Sequence, residues 1–425
     1  MGRSCILVES KQAKLLIDAG IKLGEVEERP LIPDSMLKQI DAIVISHAHL
    51  DHCGYLPHIF SNGYSGPIYS LKPTLELVNV IVSDYLRISK PRSVTKEGTS
   101  KIPKHYKFVE YHQEFRVKDL AIKLVPAGHI LGSAMVEVRE GDERLLYTGD
   151  INLKGTKLLD PAYTEYLKAD TLITESTYSG AKDEFASERA VLNDMVASLK
   201  ETLNKGGKVI IPSFAVGRAQ EVLFILDDYM RSGSLPKVPI YIDGMIGKAM
   251  RIYRHNVIFC RDEIQKRILM SEDDPFKSEN FHYVEGKQGR SKVVKDQGAA
   301  IIVTTSGMLK GGPVVGYLER LGADPKNKLV LVGYQAVGTP GRQIQEGSKE
   351  VHFNGKKVKI GLKVEKYHLS AHADRPQLMR LIGRIQGLRN IFIVHGEPSK
   401  SEEFMNSLKR RYRAQLPQLK EPYQL

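Results

Sequence analysis

The chain has 425 residues, 42% apolar and 26% charged, too long for one ordinary core and too balanced to be disordered or fibrous, so two globular domains are expected. Its net charge of +12 and pI near 9.3 favour a polyanionic partner, because Lys and Arg gain by releasing phosphate counterions. No apolar run spans a bilayer, no signal or myristoylation pattern stands at Met1-Gly2, and Cys5, Cys53 and Cys260 form no thiolate zinc or disulfide pattern, so a reducing cytoplasm and no membrane are expected.

In chain order, short strands are predicted at Cys5–Val8, Lys14–Ile17 and, after a polar segment, Ala42–Ser46. Further strands at Ala121–Val125, Ala134–Arg139 and Arg144–Tyr147 follow, and this close spacing predicts antiparallel pairing. From about residue 185 the rhythm changes. A helix over Ser187–Lys205 stops at Gly206-Gly207, then come strand Lys208–Pro212 and helix Gly217–Arg231. Strands at Ile240–Ile242, Ala299–Thr304 and Lys328–Val332 continue an alternation typical of a parallel α/β sheet. A helix near Arg375–Gln386 and a strand Asn390–Val394 follow, and the basic run Lys409-Arg410-Arg411-Tyr412-Arg413 reads as a solvated helix face.

The run His47-Ala48-His49-Leu50-Asp51-His52 ends the predicted strand Ala42–Ser46. Residues two apart on an extended chain point the same way, so His47 and His49 can hold one metal together. The chain then curls toward a helix, which places Asp51 and His52 for a second metal. Imidazoles and a carboxylate without thiolates suit a catalytic zinc site.

This run resembles the hallmark of the metallo-β-lactamase superfamily, and its other segments are found in order. Leu15-Leu16-Ile17-Asp18-Ala19-Gly20 resembles the strand-ending Asp that supports the site from behind. Pro126-Ala127-Gly128-His129 resembles the segment supplying a third histidine, and Tyr147-Thr148-Gly149-Asp150 the one whose Asp bridges both metals. The next His-Gly candidate is far downstream, at His395 in Ile391-Phe392-Ile393-Val394-His395-Gly396, so a domain must be inserted. That arrangement resembles the β-CASP nucleases. Thr174-Glu175-Ser176-Thr177 and Leu369-Ser370-Ala371-His372-Ala373-Asp374 match their acidic and histidine motifs, and a His at position 395 is typical of RNA-processing members. The expected fold is an α/β metallo-β-lactamase αββα sandwich with an inserted β-CASP parallel α/β domain. Its domains are residues 1–183 and 367–425 for the hydrolase and 184–366 for the insert.

The resemblance implies two zinc ions, with Mn2+ as a substitute: His47, His49 and His129 on one, Asp51, His52 and His395 on the other, and Asp150 shared. A hydroxide activated by the pair attacks the phosphate, and His372, held protonated by Glu175, protonates the departing oxygen; Asp51, Glu175 and His372 form the catalytic set. Pro212-Ser213-Phe214-Ala215-Val216-Gly217-Arg218 resembles the branch containing the endonuclease of the eukaryotic cleavage and polyadenylation factor, and within it the short archaeal form without KH domains. That strand–loop–helix points backbone N–H groups at an anion, so Ser213, Arg218 and Ser306 (in Thr305-Ser306-Gly307) are candidate phosphate contacts. The implied activity is endonucleolytic cleavage of single-stranded RNA in 3′-end processing or decay, by a homodimer or within an RNA-processing complex. The alternatives are a 5′-to-3′ exonuclease of the RNase J type, suggested by His368 but opposed by Ala371, and a non-catalytic scaffold, opposed by the complete ligand set. A glyoxalase-type thioester hydrolase has no use for the insert.

Overall fold

The computed structural model of the chain describes residues 2–24, 26–270, 273–353 and 355–424. The backbone divides into two compact units, one of Met1–Glu184 with His372–Leu425 and one of Phe185–Ala371.

The first unit carries two sheets. The five-stranded sheet runs Ile6–Glu9, Lys14–Ile17, Ala42–Val44, Ile68–Ser70, Tyr106–Phe108 in chain order. The seven-stranded sheet is ordered Arg413–Gln415, Asn390–Gly396, Thr171–Ser176, Glu143–Tyr147, Ala134–Glu140, Leu120–Pro126, Glu114–Val117. Helices Arg375–Arg384 and Pro398–Leu408 cover the latter, packing Leu378, Leu381, Ile382, Phe404 and Leu408 against Leu172, Ile391 and Ile393. Each of these side chains stabilises the unit by roughly 1.5–3 kcal/mol through removal from water.

Close spacing predicts antiparallel pairing for the strands from Cys5–Val8 to Arg144–Tyr147. That holds for Leu120–Pro126 with Ala134–Glu140 and for Ala134–Glu140 with Glu143–Tyr147. It fails in the first sheet beyond Ile6–Glu9: Lys14–Ile17 pairs parallel with Ala42–Val44, and Ala42–Val44 parallel with Ile68–Ser70. The connections there are long enough to carry short helices (Asp34–Leu37, Leu56–Ser61), so the chain returns to the same end of the sheet before adding the next strand. Ala42–Val44 also stops short of Ser46, whose N–H leaves the ladder for the Asp18 carboxylate at 2.7 Å. The basic run at 409–413 is not a helix face, because helix Pro398–Leu408 ends before it and Arg413 starts a strand on Asn390–Gly396.

The second unit is a six-stranded parallel sheet in the order Phe281–Val284, Ile240–Asp243, Ala300–Thr304, Lys208–Pro212, Lys328–Leu331, Lys363–Lys366. Its core joins Ile210, Ile302 and Leu329 to Val314, Tyr317 and Leu318 of helix Pro313–Leu321. An antiparallel hairpin, Glu350–Phe353 with Lys356–Lys359, adds Val351, Phe353 and Val358 to that core. Among the described residues, no helix is long and apolar enough to cross a membrane.

Candidate metal centre

The metal run is built on a backbone splice. Strand Lys14–Ile17 ends at Asp18, which takes a left-handed φ of 59°, uncommon for a side chain with a Cβ. The next residues run along the one-turn helix Leu50–Cys53: Ala19 N–H donates to His52 O at 2.7 Å and Ile21 N–H to Leu50 O at 3.2 Å. Gly20 lies so close that a Cβ there would stand 1.6 Å from Asp51 O. Ser4 N–H donates to that same Asp51 oxygen at 2.8 Å. The helix carrying Asp51 and His52 is thus clamped from two sides.

The remaining ligand candidates come from strand ends. His129 follows strand Leu120–Pro126, with its N–H on Ser133 Oγ at 3.0 Å. Asp150 follows strand Glu143–Tyr147 through Gly149, whose φ is +54°. His395 is positioned by a register break. Thr174 faces Ile393 and Glu175 faces Val394, but Ser176 faces Gly396. His395 is therefore the extra residue of a bulge, with a φ of 53°, and bulges re-aim the side chain they carry.

These groups converge around Asp150. Its Oδ2 lies 3.4 Å from His47 Nε2 and 3.6 Å from His129 Nε2, while its Oδ1 lies 3.5 Å from His52 Nε2 and 3.4 Å from His395 Nδ1. His395 Nε2 is 3.2 Å from Asp51 Oδ2, and His49 Nδ1 is 3.1 Å from His129 Nε2. One carboxylate thus turns one oxygen to each of two groups: His47, His49 and His129 on one side, Asp51, His52 and His395 on the other.

The donor chemistry fits metal. His47 Nε2, His52 Nε2 and Asp150 Oδ1 are buried and have no hydrogen-bond partner among the described residues, an arrangement that is costly unless a ligand satisfies it. Burial, then the neighbouring imidazoles of His52, His129 and His49, hold the His47 imidazole well below its usual pKa, hence neutral and able to donate a lone pair. Burial opposes charge on His52, but the carboxylates of Asp150, Asp18 and Asp51 prevail and lift it to about 10. Desolvation works against the Asp51 carboxylate, yet the His395 hydrogen bond and adjacent imidazoles bring its pKa down.

Beside this cluster, Glu175 is fully buried and its two oxygens lie 3.0 and 2.9 Å from His372 Nδ1. Glu175 Oε1 also accepts from Ile151 N–H at 2.7 Å, and Ala373 N–H donates to Ile151 O at 2.7 Å. The pair is therefore pinned to the residue after Asp150. Burial disfavours the Glu175 charge, but the His372 imidazole outweighs it and lowers the carboxyl pKa. The His372 ring centroid is 4.6 Å from that of His129.

Asp18 lies behind the cluster, its Oδ2 2.6 Å from His52 Nδ1. Sequence reasoning passed over Ser46 and Tyr147, both of which donate to Asp18 Oδ2 at 2.8 Å. The available signal was their place inside the quoted motifs, directly before His47 and three residues before Asp150. In the second unit, Ser213 follows strand Lys208–Pro212, and its N–H donates to Thr304 O at 2.9 Å, so it stands level with the segment carrying Ser306. Arg218 opens the helix Arg218–Arg231 after Gly217.

Residues 1–203 match the metallo-beta-lactamase superfamily, residues 219–344 the Beta-Casp domain, and residues 357–417 the Zn-dependent metallo-hydrolase RNA specificity domain. Transcription termination factor FttA of Methanocaldococcus jannaschii is 37% identical over 98% of this chain and 68% of its own length. The protein of that name from Lokiarchaeum is 36% identical over 97% of the chain and 68% of its length, and that from Cenarchaeum symbiosum 34% over 100% and 69%. A crystal structure of a protein of unknown function from Enterococcus faecalis shares the fold, with a TM-score of 0.58 at 14% identity over 99% of this chain and 96% of that one. The chain belongs to the β-CASP family of the metallo-β-lactamase superfamily, metal-dependent hydrolases that act on RNA.

Proposed function

We propose that the chain is a two-zinc ribonuclease that cleaves single-stranded RNA endonucleolytically, leaving a 3′-hydroxyl and a 5′-phosphate. The observation that carries this reading is Asp150, whose two oxygens each face a separate set of imidazoles. A single carboxylate shared between two dications offsets their mutual repulsion. His47, His49 and His129 would hold one ion and Asp51, His52 and His395 the other. Bound there, the ions supply water activation and charge neutralisation at the scissile phosphate.

The chain's own residues supply the proton. With Nδ1 committed to Glu175, His372 presents Nε2 to the departing 3′ oxygen, and the buried carboxylate stabilises the imidazolium that donates. Ser213, Arg218 and Ser306 are proposed to grip RNA phosphates. In support, Ser213 Oγ is buried with no hydrogen-bond partner among the described residues, and Arg218 opens a 14-residue helix whose N-terminal dipole favours anions. The proposed division is a hydrolase of residues 1–183 and 367–425 with an insert at 184–366, working in the cytoplasm on RNA 3′ ends or decay.

Metal analysis with cleavage of a pair of RNAs differing only in a 5′-phosphate or 5′-hydroxyl tests the reading. Wild type should bind two zinc ions and cut both RNAs internally, whereas Asp150→Ala should lose metal and at least hundredfold in rate. Fewer than two metals in wild type, or full activity in Asp150→Ala, defeats the two-metal site. Strict dependence on a 5′-monophosphate favours an exonuclease instead.

A further inference from the structure

Behind the ligands, a fully buried group of four side chains has more to say than the support of a single histidine. Asp18, Ser46 and His52 have no measurable exposure, and Tyr147 has 1%. Asp18 Oδ1 accepts the Ser46 N–H at 2.7 Å. Asp18 Oδ2 receives three contacts: His52 Nδ1 at 2.6 Å, Ser46 Oγ at 2.8 Å and Tyr147 OH at 2.8 Å. Ser46 Oγ also lies 3.1 Å from His47 Nδ1.

Counting protons resolves the roles. An ionised carboxylate only accepts, so the single hydroxyl proton of Ser46 must point at Asp18. The Ser46 oxygen is then left with lone pairs, and His47 Nδ1 can bond to it only by carrying a hydrogen. If Ser46 instead donated to His47, its oxygen and Asp18 Oδ2 would face each other at 2.8 Å with no proton between them, which is repulsive in a buried, low-dielectric setting. The same count fixes His52 as Nδ1–H, donating directly to Asp18. Both rings therefore turn Nε2, the nitrogen left for a metal, toward Asp150, at 3.4 Å for His47 and 3.5 Å for His52, and both Nε2 atoms lack a hydrogen-bond partner among the described residues.

We infer that Ser46 is a positioning residue that locks His47 in its Nδ1–H form by linking it to Asp18, so that one buried carboxylate sets the ligand tautomer on both sides of Asp150. The inference rests on the two-metal reading of the site. Tyr147 has a different part: its hydroxyl bonds Asp18 at 2.8 Å and lies 3.5 Å from His52 Nδ1, so it steadies the carboxylate on the His52 side, whereas the link to His47 runs through Ser46.

That asymmetry makes the proposal testable in the full-length, zinc-loaded protein. Imidazole 15N shifts should show His47 and His52 protonated at Nδ1 in wild type. In Ser46→Ala, which removes one oxygen and little volume, the first of the two sites should lose about 10–100-fold in zinc affinity by chelator competition, and the His47 signal should change. Ser46→Thr, which restores the hydroxyl, should recover affinity; Tyr147→Phe should leave the His47 signal and first-site affinity as in wild type. Unchanged affinity and an unchanged His47 shift in Ser46→Ala would overturn the link, as would equal losses in Ser46→Ala and Tyr147→Phe, the mark of a general loosening. Wild type binding fewer than two zinc ions would instead defeat the underlying metal reading.

Discussion

Gly20→Ala tests whether the splice between residues 18–21 and the Leu50–Cys53 turn sets the metal geometry. An alanine Cβ would sit 1.6 Å from Asp51 O, 2.1 Å from Asp51 C and 2.8 Å from His52 N. Carbon and oxygen approach to about 3.3 Å at closest comfort, so one backbone must move by roughly 1.7 Å. The neighbour is main chain held by Ser4 N–H at 2.8 Å, so no side chain can simply swing away. Metal ligation tolerates departures of only about 0.2 Å. The shift therefore falls on Asp51 and His52 directly, and the second site should be lost while His47, His49 and His129 still hold one ion. Overpacking of this kind costs about 1–3 kcal/mol, and a displaced reactive group about a hundredfold in rate. Zinc stoichiometry is the deciding assay, with Gly383→Ala as control: Gly383 lies in helix Arg375–Arg384 with nothing within 4 Å of its would-be Cβ, and it should gain up to about 1 kcal/mol. A Gly20→Ala protein that binds two zinc ions and cleaves at the wild-type rate would refute the reasoning.

His372→Ala should lower kcat by about 10²–10⁴ while both metals stay bound; metal analysis beside single-turnover cleavage separates this from ligand loss, and an undiminished rate removes the proton-donor role. Glu175→Gln should show a smaller fall with an altered acidic limb in its pH–rate profile, because the buried carboxylate that orients His372 is gone. Glu365 is held down to about 2: burial opposes its charge, but Lys363, Ser198 and Tyr367 hydrogen bonds and the Lys328 charge prevail. A depressed carboxyl contributes stability that is complete above its ordinary 4.5 and is lost as pH falls through 2. For this partly solvated group that is about 1–2 kcal/mol after screening. Urea unfolding of Glu365→Gln at pH 7 and pH 2.5 should show the deficit at pH 7 shrinking at pH 2.5, and an equal deficit at both would count against it.

Much of this was legible locally. Lys14–Ile17 and Lys208–Pro212 carry apolar strands bounded by turns, and their predicted limits match the observed ones. The parallel alternation of the second unit follows from helices long enough to cross over. The hairpin Glu350–Phe353 with Lys356–Lys359 escaped notice because its charged residues mask the buried alternation of Val351, Phe353 and Val358. The direction of the first sheet escaped because strand spacing reads as antiparallel although the connections after Ile17 and Val44 are long enough for a crossover. At the site, residue types were readable from the motifs. The parts of Ser46 and Tyr147 were not, since they arise only when Asp18 meets residues 28 and 129 positions away.

The placement of His395 has a consequence for folding. Ser176 Oγ bonds Val394 O across 218 positions of chain, and closing so long a loop is entropically costly. Residues 185–371 of that loop form a unit of their own, and within it the Phe185 and His368 ring centroids are 6.1 Å apart. Once the unit has folded its ends are already together, and only about 30 loose residues remain to be closed. With a cost growing as (3/2)RT ln n, the saving is about 2 kcal/mol, or close to twentyfold in closure rate. The Thr171–Ser176 and Asn390–Gly396 strands should therefore pair after the second unit's sheet forms. Pulse-labelled hydrogen exchange during refolding should protect Lys208–Pro212 and Ala300–Thr304 first. Leu329→Ala, which opens a cavity worth about 2–5 kcal/mol in that unit's core, should slow protection of Asn390–Gly396 although no atom of the metal centre has changed. Simultaneous protection of both sheets, with no slowing in the variant, would mean that the site closes without waiting for its insert.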